Sequence, residues 1–231
     1  MTEIESIDRD DIKSGRLNQQ SAALPNPIAT LKRELARRNI ELFYCETGIA
    51  ARDLVLSRIP ENATVMNGGS ETLVQIGLFD ALKTGPYKFL RPQVAAENDP
   101  VLRVSARRRA AIADVVVGGI NAITLSGEIL NSDGAGNRLA AYAYGAGKLI
   151  LVTGVNKIVP DMNAAFERMR NVAARDECRH LGVNTPCALT GKCDNQACRG
   201  PLRQCGKVLI IEHEKIAGRI CVVVVGETLG Y

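Results

Sequence analysis

Four cysteines stand close together in the last quarter of the chain. They are spaced Cys187-x5-Cys193-x4-Cys198-x6-Cys205 within CALTGKCDNQACRGPLRQC. A stretch so rich in Gly and polar residues packs poorly, whereas thiolates are good ligands for structural Zn²⁺ or an iron–sulfur cluster. We therefore expect the four thiols to cluster around one metal centre. The spacing matches neither a ferredoxin run nor a paired C-x2-C ribbon, so reduced structural thiols and a redox-sensitive pair stay open as alternatives.

The remaining cysteines and the histidines narrow the chemistry further. Cys178 and His180 lie just upstream of the cysteine-rich stretch and are alternative ligands, whereas Cys45 and Cys221 lie in apolar runs and are expected in the core. The chain has only 2 His, and neither follows a promising nucleophile. A Ser–His–Asp or Cys–His hydrolase is therefore excluded, and His213 is expected at the surface.

A first glycine-rich motif, NGGSET, begins at Asn67. It follows a strand-like run and precedes a helical pattern, which is where free backbone amides bind anions. Gly68 and Gly69 would let the backbone approach a ligand, and Ser70 would bind it or cap the helix. The alternative interpretation is a compact turn, since the motif is neither a Walker loop nor a dinucleotide fingerprint.

A second polar region follows the apolar run ADVVVGG at 113–119. Asn121, Asp133 and Asn137 are candidate ligand-binding residues, because ligands of open α/β sheets lie beyond the carboxyl ends of strands. Glu128 is the candidate nucleophile or general base, provided that its surroundings raise its pKa. The alternatives are turn residues and an exposed hairpin carboxylate.

A third motif, GVNK, follows the apolar run KLILVTG at 148–154. Lys157 would neutralise a carboxylate or phosphate, and Asn156 would hydrogen-bond it. Loops 67–72, 118–124 and 154–157 each follow a strand-like run. We therefore expect them to meet at one edge of a parallel sheet.

The elements that must position these residues alternate along the chain. A helical pattern is predicted near 28–38, a strand at 40–45, a helix at 49–59 and a strand entering the first motif, with a helix over 71–84. Residues 86–106 are expected to be irregular, with helical residues around 102–112. Two short strands are expected to join near Ser126-Gly127, and a helix is expected to cover 160–174. Strand–helix alternation predicts an α/β fold with a Rossmann-like, mostly parallel sheet flanked by helices.

Composition sets the limits of this interpretation. The 231 residues are 46% hydrophobic and 23% charged with a net charge of +4, which is too small a surplus to argue for nucleic acid or a membrane surface. No apolar run is long enough to span a bilayer, and the polar start lacks a secretory signal, so a cytoplasmic protein is expected. Residues 1–24 are expected to form a flexible arm and 25–231 a single domain, with the cysteine-rich segment at 178–205.

Taken together, the motifs resemble the lactate-utilisation (LUD) domain family. The resemblance rests on NGGSETLVQIGL, ADVVVGGINAITLSGEILNSDGAGNRLAA, VTGVNKIVPDMNAAFERMRNVAA, TPCALTGKC and GRICVVVVGETLGY, which cover most of 27–231 in the expected order. It implies a fold like those of CoA transferases, ribose-5-phosphate isomerase and glucosamine-6-phosphate deaminase. It also implies a small anionic metabolite, in lactate or related organic-acid metabolism. Where relatives carry a C-x2-C pair, this chain has Cys193-x4-Cys198.

Three classes of function follow from these observations. The first is an enzyme for a small carboxylate or phosphorylated substrate, with Glu128 as the catalytic residue. The second is a non-catalytic accessory module, whose cysteines hold Zn²⁺ or an iron–sulfur cluster and which works with an iron–sulfur redox protein. The third is a thiol-rich structural protein in a larger complex, and assembly into a homo-oligomer is compatible with all three.

Overall fold

The computed structural model of the protein describes residues 26–231, so the expected arm at 1–24 lies outside the described residues. Six strands form the main sheet: β1 (Glu41–Cys45), β2 (Thr64–Asn67), β3 (Lys88–Phe89), β4 (Val115–Gly119), β7 (Lys148–Gly154) and β10 (Ile220–Val225). They are ordered β1-β10-β7-β4-β2-β3, and every pair is parallel.

The central strands of this sheet are buried on both faces. In β10, Val222 and Val224 face one hydrophobic cluster, whereas Cys221 and Val223 face another. This is the period-two pattern of a strand covered by helices on both sides, and it explains the continuous apolar runs in the sequence. The placement of Cys221 agrees with its expected role as a core residue.

Helices cover both faces of the sheet. α1 buries Ile28, Leu31 and Leu35 in the first cluster, and α2 buries Ala51 and Val55 in the second. The ten described helices are α1 (Asn26–Arg37), α2 (Gly48–Ser57), α3 (Glu71–Gln75), α4 (Leu78–Ala81), α5 (Arg91–Ala96), α6 (Pro100–Ala110), α7 (Asn137–Ala140), α8 (Met162–Arg168), α9 (Ala174–His180) and α10 (Pro186–Thr190). The protein therefore has the predicted α/β fold, with a Rossmann-like sheet flanked by helices.

A second, four-stranded sheet lies beside the first. It contains β5 (Ala122–Thr124), β6 (Ile129–Asp133), β8 (Ile158–Val159) and β9 (Lys207–Ile211), in the order β8-β5-β6-β9. β5 and β6 are antiparallel and turn at Gly127, whose φ of 97° favours glycine. The two short strands predicted near Ser126-Gly127 are thus confirmed.

Two predictions of secondary structure, for residues 71–84 and 86–106, need correction. The helix expected over 71–84 is divided into α3 and α4, because Gly77 between them adopts a left-handed φ of 69°. The region expected to be irregular contains β3 and α5, whereas the helix expected around 102–112 is present as α6, which begins at Pro100.

The cysteine-rich part of the chain connects α10 to β9. Residues 191–206 contain no helix or strand. The helix predicted at 160–174 continues instead to His180, as α8, a π-helical turn at Met169–Ala173 and α9. Among residues 26–231, no helix combines the length and the apolar character needed to cross a bilayer.

Candidate functional site

A cavity of about 440 Å³ opens at one edge of the main sheet. It is lined by residues 67–71 beyond β2, by 119–121 at the end of β4 and by Lys157 beyond β7. Because β2, β4 and β7 are parallel neighbours, their carboxyl ends lie at the same edge. The predicted convergence of the three loops is confirmed.

Positively charged side chains approach this cavity from four elements. The cationic lining residues are Arg91, Arg107, Arg138 and Lys157, and the acidic ones are Glu71, Asp133 and Glu177. Two of the carboxylates have partners inside the protein: Asp133 lies 3.6 Å from Arg138, and Glu177 accepts a hydrogen bond from Tyr231. Of the four cationic side chains, only Arg138 has a carboxylate partner among the described residues.

Arg91 and Arg107 come from α5 and α6 respectively. Neither guanidinium is within 4.0 Å of a carboxylate among the described residues. Burial lowers the pKa of Arg91, and the positive charge of Arg107 lowers it further. Arg91 is held in place by its hydrogen bond to the Asn67 carbonyl oxygen at 3.1 Å and by the ring of Phe79. Two like charges on one wall leave the cavity suited to an anion.

Lys157 is buried, with 3% of its surface exposed, although it lines the cavity. Its Nζ donates a hydrogen bond to Thr72 Oγ1 at 2.8 Å. Burial lowers the pKa of Lys157 to about 7, and the positive charges of Arg168 and Arg138 contribute to the same shift. Near neutral pH the amine is therefore divided between its charged and neutral forms.

Arg138 reaches the cavity across Gly68. A Cβ at position 68 would lie 2.8 Å from Arg138 Cδ, so a larger residue there would displace the arginine. The guanidinium donates a hydrogen bond to the Ser132 carbonyl oxygen and lies over the ring of Tyr142. Gly68 therefore contributes by making room for a cationic side chain.

Asn67 is the buried polar group with unused hydrogen-bonding capacity at this site. It is fully buried and lines the cavity, and neither Nδ2 nor Oδ1 has a partner among the described residues. An unpaired buried amide costs about 1–3 kcal/mol, so it indicates a ligand group or an ordered water.

Asn121, Asp133 and Asn137 also line the cavity. Asn121 Oδ1 accepts a hydrogen bond from the Ser132 amide at 2.7 Å, which joins the end of β4 to β6. Asp133 Oδ1 accepts hydrogen bonds from the amides of Ala135 and Gly136. These two side chains thus shape the wall, while Asn137 begins α7 at the cavity surface.

Ser70 and Gly69 complete the loop beyond β2. Ser70 occupies the amino-terminal cap position of α3, but its side chain makes no capping hydrogen bond, in contrast to the expectation. A Cβ at Gly69 would meet no atom within 4 Å, so this glycine faces open space. The loop is accessible from the cavity at both residues.

The structure places Asn156 outside the cavity lining. Its Nδ2 donates to the Gly230 carbonyl oxygen at 3.2 Å, and its Oδ1 accepts from the Leu229 amide at 3.1 Å. The side-chain amide of Asn156 thus holds the segment before Tyr231, a residue that lines the cavity. The geometry does not support an anion-binding role for Asn156, which stays a prediction.

The structure also places Glu128 outside the lining. Its carboxylate pairs with Arg38 and accepts hydrogen bonds from Thr124 and, at 2.6 Å, from Ser126. Burial raises the pKa of Glu128, but the hydrogen bonds from Ser126 and Thr124 and the charge of Arg38 outweigh it and leave the pKa lowered. A carboxylate held ionised away from the cavity is suited to a structural role, so the geometry does not support the catalytic assignment of Glu128, which stays a prediction.

The four cysteines of the expected metal centre lie in one region. Burial raises the pKa values of Cys193 and Cys198, and negative charge on Cys205 and Cys187 raises both further. Among residues 26–231, however, no three Cys, His, Asp or Glu side chains are grouped as a metal ion requires. The thiols in this arrangement do not fit a metal, and the metal centre stays a prediction.

Sequence reasoning missed the residues that supply most of the positive charge. Arg91 lies in the segment expected to be irregular, and Arg107 lies among the helical residues expected around 102–112. In both places only the local density of arginines is a signal. Arg138 directly follows the glycine-rich sequence GAGN, and this position indicates a ligand-binding residue more strongly. His180 and His213 are both exposed, as expected for His213, and neither lines the cavity.

The fold and the cavity define a class: an α/β protein with a polar, cation-lined pocket at the carboxyl edge of a parallel sheet. A family model, the LUD domain, matches residues 28–225. The chain therefore belongs to the LUD domain family, as its motifs predicted. No curated protein matches the sequence.

The solved structures that match this chain have little sequence identity to it. A DUF162 family protein from Deinococcus radiodurans is 13% identical with a TM-score of 0.48, covering 88% of this chain and 100% of that one. Ribose 5-phosphate isomerase A from Neisseria gonorrhoeae is 17% identical with a TM-score of 0.32, covering 50% and 53%. The delta subunit of eIF2B from Chaetomium thermophilum is 18% identical with a TM-score of 0.31, covering 48% of each.

Proposed function

We propose that the protein binds a small anionic metabolite, a carboxylate or phosphorylated compound, in the cavity at the carboxyl edge of the main sheet. The observation that carries the proposal is the pair Arg91 and Arg107, which line one wall without a carboxylate partner among the described residues. Guanidinium groups bind carboxylates and phosphates through paired hydrogen bonds. A bound anion would relieve the repulsion between the two side chains.

Two further features support an anion of metabolite size. The unpaired amide of Asn67 offers a donor and an acceptor inside the cavity. The volume of about 440 Å³ is in the range of small-molecule sites. Membership of the LUD domain family favours an organic acid such as lactate or a related compound, and turnover of that acid is the enzymatic form of the proposal.

Calorimetric titration with inorganic phosphate, lactate and other small carboxylates tests the proposal. We expect the best of these anions to bind and Arg91→Ala to weaken its binding by about tenfold or more, which corresponds to about 1.4 kcal/mol. Arg108→Ala is the matched control, because Arg108 is an exposed arginine of α6 that does not line the cavity. Equal affinities for the two variants, or no binding by the wild type, would contradict the proposal.

A second candidate function is a metal or iron–sulfur accessory module that works with an electron-transfer partner. It is supported by the proximity of Cys193 and Cys198 to Cys205 and Cys187, whose negative charge contributes to raising the pKa of both thiols. Coordination requires these thiols to come closer together than they do here.

Iron, zinc and acid-labile sulfide should be measured after anaerobic purification. This candidate predicts one centre per chain that is lost in Cys193→Ser and retained in the control Cys45→Ser. Metal-free protein after anaerobic reconstitution would eliminate it.

A further inference from the structure

Lys157 combines three properties that seldom occur together: it is buried, it lines the cavity, and it has no acidic partner among the described residues. The two charged groups that act on it, Arg168 and Arg138, are both positive. An ammonium group in such a position is opposed by desolvation and by like charge. A neutral amine is favoured instead, as for lysines that act as nucleophiles.

The hydrogen bonding of the amine leaves its lone pair available. Within the part of the chain that the structure describes, Nζ makes one hydrogen bond, to Thr72 Oγ1 at 2.8 Å, and the Thr72 hydroxyl is directed to the Leu229 carbonyl oxygen at 3.4 Å. Thr72 therefore accepts a hydrogen from the amine and does not donate one to it. A neutral Nζ that donates to Thr72 keeps its lone pair free for an electrophile in the cavity.

The neighbouring groups specify what kind of electrophile fits. Arg138 lies close enough to Lys157 to lower its pKa, and it can pair with the anionic end of a ligand. The free amide of Asn67 can hydrogen-bond a carbonyl or hydroxyl oxygen. A small compound that carries both an anionic group and a carbonyl carbon satisfies all three side chains.

We propose that Lys157 forms an imine with an anionic aldehyde or ketone, which names the substrate class of the proposed anion site and rests on that proposed function. The Nζ lone pair adds to the carbonyl carbon as the carbonyl π pair moves to oxygen, and a proton passes from nitrogen to that oxygen through solvent to give a neutral carbinolamine. A proton from solvent then lets the oxygen leave as water while the nitrogen lone pair forms the carbon–nitrogen double bond. The nitrogen returns one proton to solvent, so the net products are the imine of Lys157 and one water. The step needs no oxidant, reductant or metal. Lys157 is then the catalytic residue of this site, in place of Glu128.

Reductive trapping tests the proposal directly. The protein is incubated with cyanoborohydride and either 2-oxobutyrate or glyceraldehyde 3-phosphate, which distinguishes a carboxylate from a phosphorylated source of the same chemistry. We expect a single adduct on Lys157 in the peptide map with at least one of them. Its formation should rise with a midpoint near pH 7, the pKa of Lys157, rather than near that of an exposed lysine.

Three variants make the test specific. Lys157→Arg keeps the positive charge and Lys157→Met keeps the length of the side chain, and both should lose the adduct completely. Lys148→Met should keep the adduct, because Lys148 is the first residue of β7 and lies at the far end of that strand from Lys157. An adduct spread over exposed lysines, or one that persists in Lys157→Arg, overturns the proposal.

Ligands without a carbonyl separate the two proposals. 2-Hydroxybutyrate and glycerol 3-phosphate carry the same anionic groups and cannot form an imine. If the wild type binds these anions and their carbonyl counterparts in calorimetry but yields no adduct, the anion site stands and the imine is wrong. If it binds none of the four compounds, the proposed function fails as well.

Discussion

Lys157 and Glu128 are both ionisable residues close to the end of a strand, but their surroundings are opposite. Lys157 lines the cavity beside positive charges, and its pKa is lowered to about 7. Glu128 pairs with Arg38 and two hydroxyl groups, and its pKa is also lowered. A lowered pKa makes an amine reactive but leaves a carboxylate inert as a base at neutral pH. The lysine is therefore the better candidate for chemistry.

Glu128→Gln should leave anion affinity unchanged and lower the free energy of unfolding by about 1–2 kcal/mol at pH 7, because the variant loses an ion pair and weakens two hydrogen bonds. The pKa of Glu128 is lower in the folded state, so its contribution is present above the unfolded-state pKa and is lost as the pH falls through the folded-state value. Urea denaturation at pH 7 and below pH 4.5, the ordinary glutamate value, measures this. Glu61→Gln is the control, because Glu61 is an exposed carboxylate. Loss of ligand binding in Glu128→Gln would contradict the structural role and support Glu128 as a catalytic residue.

Lys157 should give the wild type an unusual dependence of stability on pH. Between pH 7 and 10.5 the unfolded chain binds a proton that the folded protein does not, so the free energy of unfolding contributed by this residue rises with pH. Urea denaturation at pH 7 and at pH 9.5 measures this. From pH 7 to pH 9.5 the free energy of unfolding of the wild type should rise by on the order of 3 kcal/mol relative to that of Lys157→Met. Parallel pH profiles for the two proteins would mean that Lys157 titrates normally.

The helices and strands around the cavity differ in how tightly they pack. In β4, a Cβ at Gly118 would overlap the Tyr142 side chain, whose hydroxyl donates to the Gly119 carbonyl oxygen at 3.2 Å. Beyond β2, a Cβ at Gly69 meets nothing within 4 Å. One glycine is therefore required by packing and the other borders open space.

Gly118→Ala should lower the free energy of unfolding by about 1–3 kcal/mol or more through overpacking, whereas Gly69→Ala should change it by less than about 0.5 kcal/mol. Thermal or urea denaturation of the two variants measures the difference. Equal stabilities would show that the Tyr142 ring moves aside without cost.

The strands and their loops could be predicted from sequence because their signals are local. A continuous apolar run such as 148–154 indicates a strand buried on both faces, and the polar residues after it must lie at the sheet edge. The ion pair of Glu128 with Arg38 could not be predicted, because Arg38 is 90 positions away in the sequence. The roles of Arg91 and Arg107 could not be predicted either, since they depend on how α5 packs beside β2 and how α6 packs against α5.

The last strand of the described chain, β10, completes the main sheet. β10 lies between β1 and β7, so the sheet joins residues from both ends of the described chain. Contacts between residues so distant in sequence form late, and they reduce the rate of folding. Stability should therefore depend strongly on β10.

Val223→Ala in β10 should lower the free energy of unfolding by about 2–3 kcal/mol, because Val223 is fully buried at the centre of the sheet. Val208→Ala is the matched control. Val208 belongs to β9 and is 43% exposed, so this substitution should cost less than about 0.5 kcal/mol. A similar loss in both variants would mean that the two sheets contribute equally to stability.

The arginine-bearing wall of the cavity is held by little apolar contact. α5 buries Val94, and α6 buries only Ala110, while Val101 and Leu102 remain exposed. Segments of this kind open locally at a small fraction of the global unfolding free energy. We expect amide protons of residues 91–110 to exchange with solvent well before those of β4 and β7. Ligand entry would then need only a brief detachment of this segment, while Lys157 stays in place in the short turn between β7 and β8.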